Sequence, residues 1–141
     1  MSEDAIIIIP VRKGSKRIKN KNLAIVNNQY LVEHTIKDAI SCSFTNEIYI
    51  TTDYKDFDKL FKKYPINIVK RPSHLSVDKS SSESALIHVL DQRIKDGKKD
   101  PKFVVFLQCT SPFREEKDID KAIETMISQK ANSLFSVVEF K

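Results

Sequence analysis

Six of the ten residues from Arg12 to Lys21 are Lys or Arg, in the order Arg12-Lys13-Gly14-Ser15-Lys16-Arg17-Ile18-Lys19-Asn20-Lys21. The run follows directly on an apolar stretch, Ala5 to Val11, and Gly14-Ser15 permits a tight loop with outward-turned amides. In such a loop Arg12, Lys16 and Lys21 can neutralise several oxygens of a polyphosphate through charge-assisted hydrogen bonds. A triphosphate fits that charge. Charge runs in loops are more often solvated faces, and the placement behind a buried strand is what favours an anion here. Neither GxxxxGK[ST] nor GxGxxG occurs, so the P-loop and dinucleotide fingerprints are excluded.

Three further segments follow apolar runs. Lys70-Arg71-Pro72 leads into Ser80, Ser81 and Ser82, where Ser80 and Glu83 have capping-box spacing and the helix start offers amides and hydroxyls to an anion or a ribose. An ordinary capped helix after a proline turn would read the same way. Gln108 ends an apolar run as a polar side chain expected to be buried, which needs either a ligand with hydrogen-bonding edges or a neighbouring backbone as partner. Thr51-Thr52-Asp53 ends another run, and Asp53 is suited to a metal, a sugar hydroxyl or, most commonly, the cap of the next helix. His34, His74 and His88 are scattered and no GxSxG accompanies them, so they read as structural rather than as parts of a nucleophilic triad.

These segments need a scaffold that gathers them. Strand-like runs recur at Ala5–Val11, Glu47–Thr52, Ile66–Lys70, Phe103–Cys109 and Ser133–Val138. Helical periodicity fills most of the intervals: Val32, Ile36, Ala39, Ile40; Phe57, Leu60, Phe61, Tyr64; Leu86, Val89, Leu90, Ile94; and Ile119, Ala122, Ile123, Met126, Ile127. The last helix is expected to start near Arg114, Glu115 and Glu116, an acidic pair that suits the helix dipole. The alternation predicts an α/β fold: a doubly wound, mostly parallel sheet of about five strands with helices on both faces. Such sheets bind ligands beyond the carboxyl ends of their strands, where all four segments fall.

Composition narrows the class. With 141 residues, 40% hydrophobic and 30% charged, the chain reads as one globular domain spanning 1–141. A net charge of +5 without aromatics interleaved among the basic residues argues against nucleic acid. Ala5 to Val11 is too short for a bilayer span and is preceded by Ser-Glu-Asp, unlike a signal peptide. Cys42 and Cys109 lack metal-like or CxxC spacing, so two reduced thiols in a cytoplasmic protein are expected. Asp96-Gly97-Lys98-Lys99-Asp100-Pro101 reads as an exposed turn.

Taken in order, the segments resemble the acylneuraminate cytidylyltransferases, also called CMP-sialic acid synthetases. The similarity rests on Ile9 to Lys16, Lys19 to Leu23, Thr51-Thr52-Asp53, Arg71-Pro72, Asp78 to Ser82, Leu107-Gln108, Thr110 to Arg114, Lys117 to Asp120 and Ser136 to Val138. It implies a Rossmann-like nucleotide-diphospho-sugar transferase fold, and a reaction in which CTP activates a nonulosonic, sialic-acid-like sugar to a CMP-sugar with release of pyrophosphate, in cell-surface glycan biosynthesis. By resemblance Arg12 and Lys16 hold the triphosphate, Gly14 and Ser15 shape that loop, and Lys21 and Asn22 meet the nucleotide at its end. Arg71 and Ser82 serve the cytidine, Ser81 is a further nucleotide-binding residue, and Gln108 serves the nucleotide–sugar region. Lys13 and Arg17 depart from the family loop, which commonly carries glycine at both places. The family's Mg²⁺ carboxylates, sugar pocket and dimerisation arm are expected beyond Lys141, so homodimerisation is expected only of a longer chain. The alternative is a non-catalytic module on the same scaffold that binds a nucleotide or another phosphorylated ligand.

Overall fold

Ile6, Ile7, Ile8 and Ile9 are wholly shielded from solvent, which requires protein on both faces of the strand that carries them. The computed structural model describes residues 5–11, 25–26, 28–54, 57–70, 82–108 and 117–130. In chain order these form β1 (Ala5–Val11), β2 (Ile25–Val26), β3 (Gln29–Tyr30), α1 (Leu31–Ile40), β4 (Ile48–Thr52), α2 (Phe57–Phe61), β5 (Asn67–Lys70), α3 (Ser82–Lys95), β6 (Phe103–Phe106) and α4 (Asp118–Gln129). The fifth expected strand, Ser133–Val138, and the capping serine Ser80 lie outside the described residues.

The main sheet has the order β5-β4-β1-β6, and every pairing in it is parallel. Ile7 stands beside Ile48, Val11 beside Thr52, Thr52 beside Lys70, and Ile8 beside Phe106. Period-two alternation then divides β1 between two cores. Ile7, Ile9 and Val11 pack with Val32, Ile36 and Ala39 of α1, Phe57 and Phe61 of α2, and Ile119 and Ile123 of α4. Ile6 and Ile8 pack with Tyr49 and with Val89 of α3 on the opposite face. Right-handed crossovers demand this split, because β1 to β4 to β5 moves one way across the sheet and β5 to β6 moves back. The doubly wound expectation is met by this arrangement.

A short antiparallel hairpin, β2 with β3, was not expected from the sequence. Its strands have two residues each, too few to show a period, and Asn28 at φ 66° supplies the left-handed turn residue a two-residue loop needs. Ile40, Ile94 and Ile127, expected on the core faces, are 41%, 55% and 47% exposed. Each stands in the last turn of its helix, beyond the part that packs on the sheet.

The core-facing line of α3 runs Ala85, Val89, Arg93, ending in a buried cation. Arg93 Nη2 lies 3.2 Å from Glu47 Oε2, its Nε donates to the Tyr49 hydroxyl at 3.2 Å, and its Nη1 donates to the Lys99 carbonyl at 2.7 Å. The Tyr49 hydroxyl in turn donates to Glu47 Oε2 at 3.1 Å. Gly97, at φ 79°, ends the helix so that the Lys98 amide returns to the Arg93 carbonyl and the following turn folds back over the guanidinium. Arg93→Met should destabilise the protein by about 2 kcal/mol in urea unfolding, below the usual loss for one partner of a buried pair because Glu47 keeps part of its side chain in water. A loss under about 0.5 kcal/mol would mean that the network adds nothing net.

Candidate functional site

The strand order reverses between β1 and β6. After β1 the chain moves outward through β4 and β5, then returns across the other face to place β6 on the far side of β1. In open parallel sheets the crevice at this reversal, beyond the carboxyl ends of the strands, is where ligands bind. The Ile7 amide donates to the Glu47 carbonyl, so Ile7, Ile9 and Val11 direct their amides to β4 while Ile6, Ile8 and position 10 direct theirs to β6. Leu107 donates to the Ile8 carbonyl at 3.0 Å, and the next donor due from β1 would come from residue 10, which is proline. Pro10 therefore stops the β1–β6 ladder while β1 continues along β4 to Val11, and the two strands part at that level.

Of the residues expected to do chemistry, only Asp53, Gln108 and the backbone of Ser82 are among the described residues. Arg12 follows Val11, and the basic run leads to the β2–β3 hairpin. Arg12, Gly14, Ser15, Lys16, Lys21, Asn22, Arg71 and Ser81 lie outside the described residues, as does the side chain of Ser82, whose backbone opens α3. Gln108, expected to be buried, is exposed, because it stands past the last paired residue of β6. Asp53 is half-buried behind β4, four residues before Phe57, which is too far to cap α2. The chain at Asp53 is shaped locally: the Tyr54 amide donates to Thr52 Oγ1 at 3.1 Å, and Lys70 Nζ donates to the Tyr54 carbonyl at 2.9 Å. Lys70, the residue before Arg71, thus ties the loop behind β4 to the end of β5.

The last helix corrects another expectation. It starts at Asp118 with Lys117 at the N-cap in a left-handed conformation, φ 70°, rather than at Arg114 to Glu116. Asp120, within the Lys117 to Asp120 motif, is buried, and its Oδ1 accepts the Ser43 amide at 2.8 Å. Burial would raise its pKa, but the Ser43 amide and hydroxyl, Cys42 and the nearby Lys117 charge outweigh it and hold the carboxyl below its ordinary range. Asp120 is therefore a tie between α4 and the loop after α1. Cys42, in that loop, has its thiol pushed up chiefly by burial, while Cys109 lies outside the described residues. Among the described residues, no group of three or more His, Cys, Asp and Glu could hold a metal ion.

Comparison with known proteins assigns this arrangement. The model of the cytidylyltransferase family matches residues 6–140. The chain belongs to that family. It is 32% identical over 124 residues to an N-acylneuraminate cytidylyltransferase of Escherichia coli, covering 88% of this chain and 28% of the relative. It is 35% identical over 122 residues to a CMP-N,N'-diacetyllegionaminic acid synthase of Legionella pneumophila, covering 84% and 51%. The solved structure of a CMP:2-keto-3-deoxy-manno-octonic acid synthetase complexed with CTP superposes with a TM-score of 0.74 at 19% identity, over 92% of this chain and 49% of that one. The chain thus spans about half or less of the length of these relatives. Among the described residues, no helix is long and apolar enough to cross a membrane.

Asp120 also sets a pH signature. Because its folded pKa is depressed, the stabilisation it brings is fully present above the unfolded value near 4 and fades as pH falls through the lower, folded value. Asp120→Asn should therefore be less stable than the parent at pH 7, with the gap closing below about pH 4 in chemical unfolding series. A gap independent of pH would deny the carboxylate this role.

Proposed function

We propose that this chain is the CTP-binding half of a cytidylyltransferase that activates a nonulosonic, sialic-acid-like sugar acid. The observation that carries the proposal is the convergence of two independent results. The family match runs through residues 6–140, and the strand reversal lies between β1 and β6, the strands that the basic run and Gln108 follow in sequence. In the reaction the sugar's anomeric hydroxyl attacks the α-phosphorus of CTP. The new P–O bond forms as the bond to the bridging oxygen breaks, the hydroxyl proton passes to solvent, and pyrophosphate leaves.

Arg12, Lys16 and Lys21 would bind the phosphates, aligning the α-phosphorus with the incoming hydroxyl and offsetting charge on the leaving group. Arg71, Ser81 and Ser82 would read the cytidine, and Gln108 the region between nucleotide and sugar. Fixed dipoles and cations are sufficient for the chain's own part, and no covalent intermediate is needed. The family's Mg²⁺ is a separate matter. The described residues offer no converging set of carboxylates, so no step here runs through the metal, and Asp53 alone stands at the strand ends as a candidate ligand. On this reading the sugar pocket and any homodimer contacts would come from sequence other than this chain, which covers 28% and 51% of the two relatives above.

The second reading is a module on the same scaffold that binds a nucleotide or another phosphorylated ligand without catalysing transfer. Calorimetry decides the first point: CTP should bind more tightly than ATP or GTP, and equal affinities would overturn the cytidine assignment. Lys16→Ala should weaken CTP binding about tenfold or more, the scale of one charge-assisted phosphate contact. Pyrophosphate release from CTP with Mg²⁺ and a panel of nonulosonic acids separates the two readings, since the binding-only module releases none.

A further inference from the structure

Charged side chains tie several connections of this fold to the elements beside them. Asp120 holds the loop after α1, and the buried Glu33 holds the start of α1, its Oε1 accepting the Tyr30 amide and its Oε2 the Tyr64 hydroxyl. Behind β4 the corresponding charge is a lysine at the carboxyl edge of the sheet. Lys70, the last residue of β5, stands beside Thr52, the last residue of β4, and its Nζ donates to the Tyr54 carbonyl at 2.9 Å. The Tyr54 amide donates to Thr52 Oγ1 at 3.1 Å, and the Tyr54 ring is buried, tilted against Phe57 at 6.4 Å. The carbonyl, amide and side chain of Tyr54 are therefore held by β5, β4 and the core in turn.

Asp53 lies between these two fixed residues. Thr52 is wholly buried and Tyr54 nearly so, while Asp53 itself is half-buried at the strand end, one strand away from the reversal at β1. The tie is made by a long side chain that stays half in water, and its other contact, Asp58 at 4.0 Å, is an exposed pair of little weight. Immobilising a lysine costs side-chain entropy, so the bond adds little to stability. Its effect is on position, because it fixes the chain that carries a carboxylate at the ligand-binding edge. In doubly wound sheets that bind dinucleotides an acidic side chain takes a ribose hydroxyl, which a carboxylate accepts as a charge-assisted bond. Asp53 is too far from α2 to cap it, and the described residues gather no metal-holding group around it. Of the roles open to this carboxylate, the hydroxyl is the one its surroundings fit.

We propose that Asp53 accepts a ribose hydroxyl of the bound nucleotide and that Lys70 is its positioning residue, acting through the Tyr54 carbonyl. The inference rests on the CTP reading above, and a comparison of nucleotides separates the two. Calorimetry is run with CTP, ATP, GTP and 2′,3′-dideoxy-CTP on the parent, Asp53→Ala, Lys70→Met, Lys70→Arg and a core control, Ile123→Val in α4. The parent should bind dideoxy-CTP about tenfold more weakly than CTP, the scale of one hydrogen bond to a charged group. Asp53→Ala should abolish that difference. Lys70→Met should reduce it to roughly threefold, since the carboxylate remains but is no longer held in place. Lys70→Arg, which can still donate to the carbonyl, should restore it, and Ile123→Val should lower thermal stability with the ratio unchanged. If Lys70→Met weakens both nucleotides equally, its charge acts directly on the phosphates and the positioning role is overturned. A control that loses the ratio as Lys70→Met does would overturn it too. A parent that prefers CTP over ATP and GTP but binds CTP and dideoxy-CTP alike refutes the Asp53 assignment and leaves the cytidine reading intact. Equal binding of the three bases with the ribose ratio kept does the reverse, and a parent that binds none of them overturns both.

Discussion

Strand β1 is paired on both edges and covered on both faces, and the rest of the structure is arranged around that double burial. Such a strand is confined to apolar side chains, since any polar group on it would lose water without gaining a partner. It consequently cannot hold reactive groups along its length. The covering helices follow from the same constraint. Alternate β1 residues need apolar cover on opposite sides, which α1, α2 and α4 supply on one face and α3 on the other. Pro10 is accommodated in this central strand because its missing donor falls at the end of the β1–β6 ladder. The defect coincides with the opening that a ligand would enter.

What the sequence made legible follows the range over which each signal acts. β1 and β4 are buried runs whose bounds were readable to within a residue, as were the apolar lines of α1, α3 and α4 apart from the last-turn isoleucines, whereas α2 stops at Phe61 and leaves Tyr64, expected on its face, in the following turn. The hairpin was not readable, because no period exists over two residues. Gln108 looked buried because it follows an apolar run, yet exposure there depends on where the partner strand stops, a property of β1 rather than of Gln108. Asp120 and Ser43 are 77 residues apart, and Glu33 and Tyr64 are 31 apart, so neither tie leaves a local pattern. Of the site itself, strand order set the location, and only the residue types and the family resemblance pointed to the chemistry.

The three buried charges described here share a logic that the individual bonds conceal. Glu33 and Asp120 each occupy the third position of a helix, and Arg93 stands in the last turn of another. Acid at a helix start and base at a helix end are favoured by the backbone dipole, which offsets part of the cost of desolvation before any partner is counted. Each then spends its hydrogen bonds outside the regular ladder, on the hairpin, the loop after α1, or the turn after α3. Connections of that kind are otherwise the least constrained parts of an α/β fold. Buried charge in this protein therefore holds loops in place.

Comparison at low identity bears on the same division. A TM-score of 0.74 at 19% identity means that the backbone arrangement persists while most side chains change. Cores tolerate such exchange when volume and apolar pattern are kept, so the two cores of β1 can drift in identity without moving the strand ends. Loop geometry has no equivalent tolerance, because a single bond such as that from Tyr64 to Glu33 has few substitutes of the same reach. Conservation of the sheet therefore does not by itself carry the ties that hold its connections.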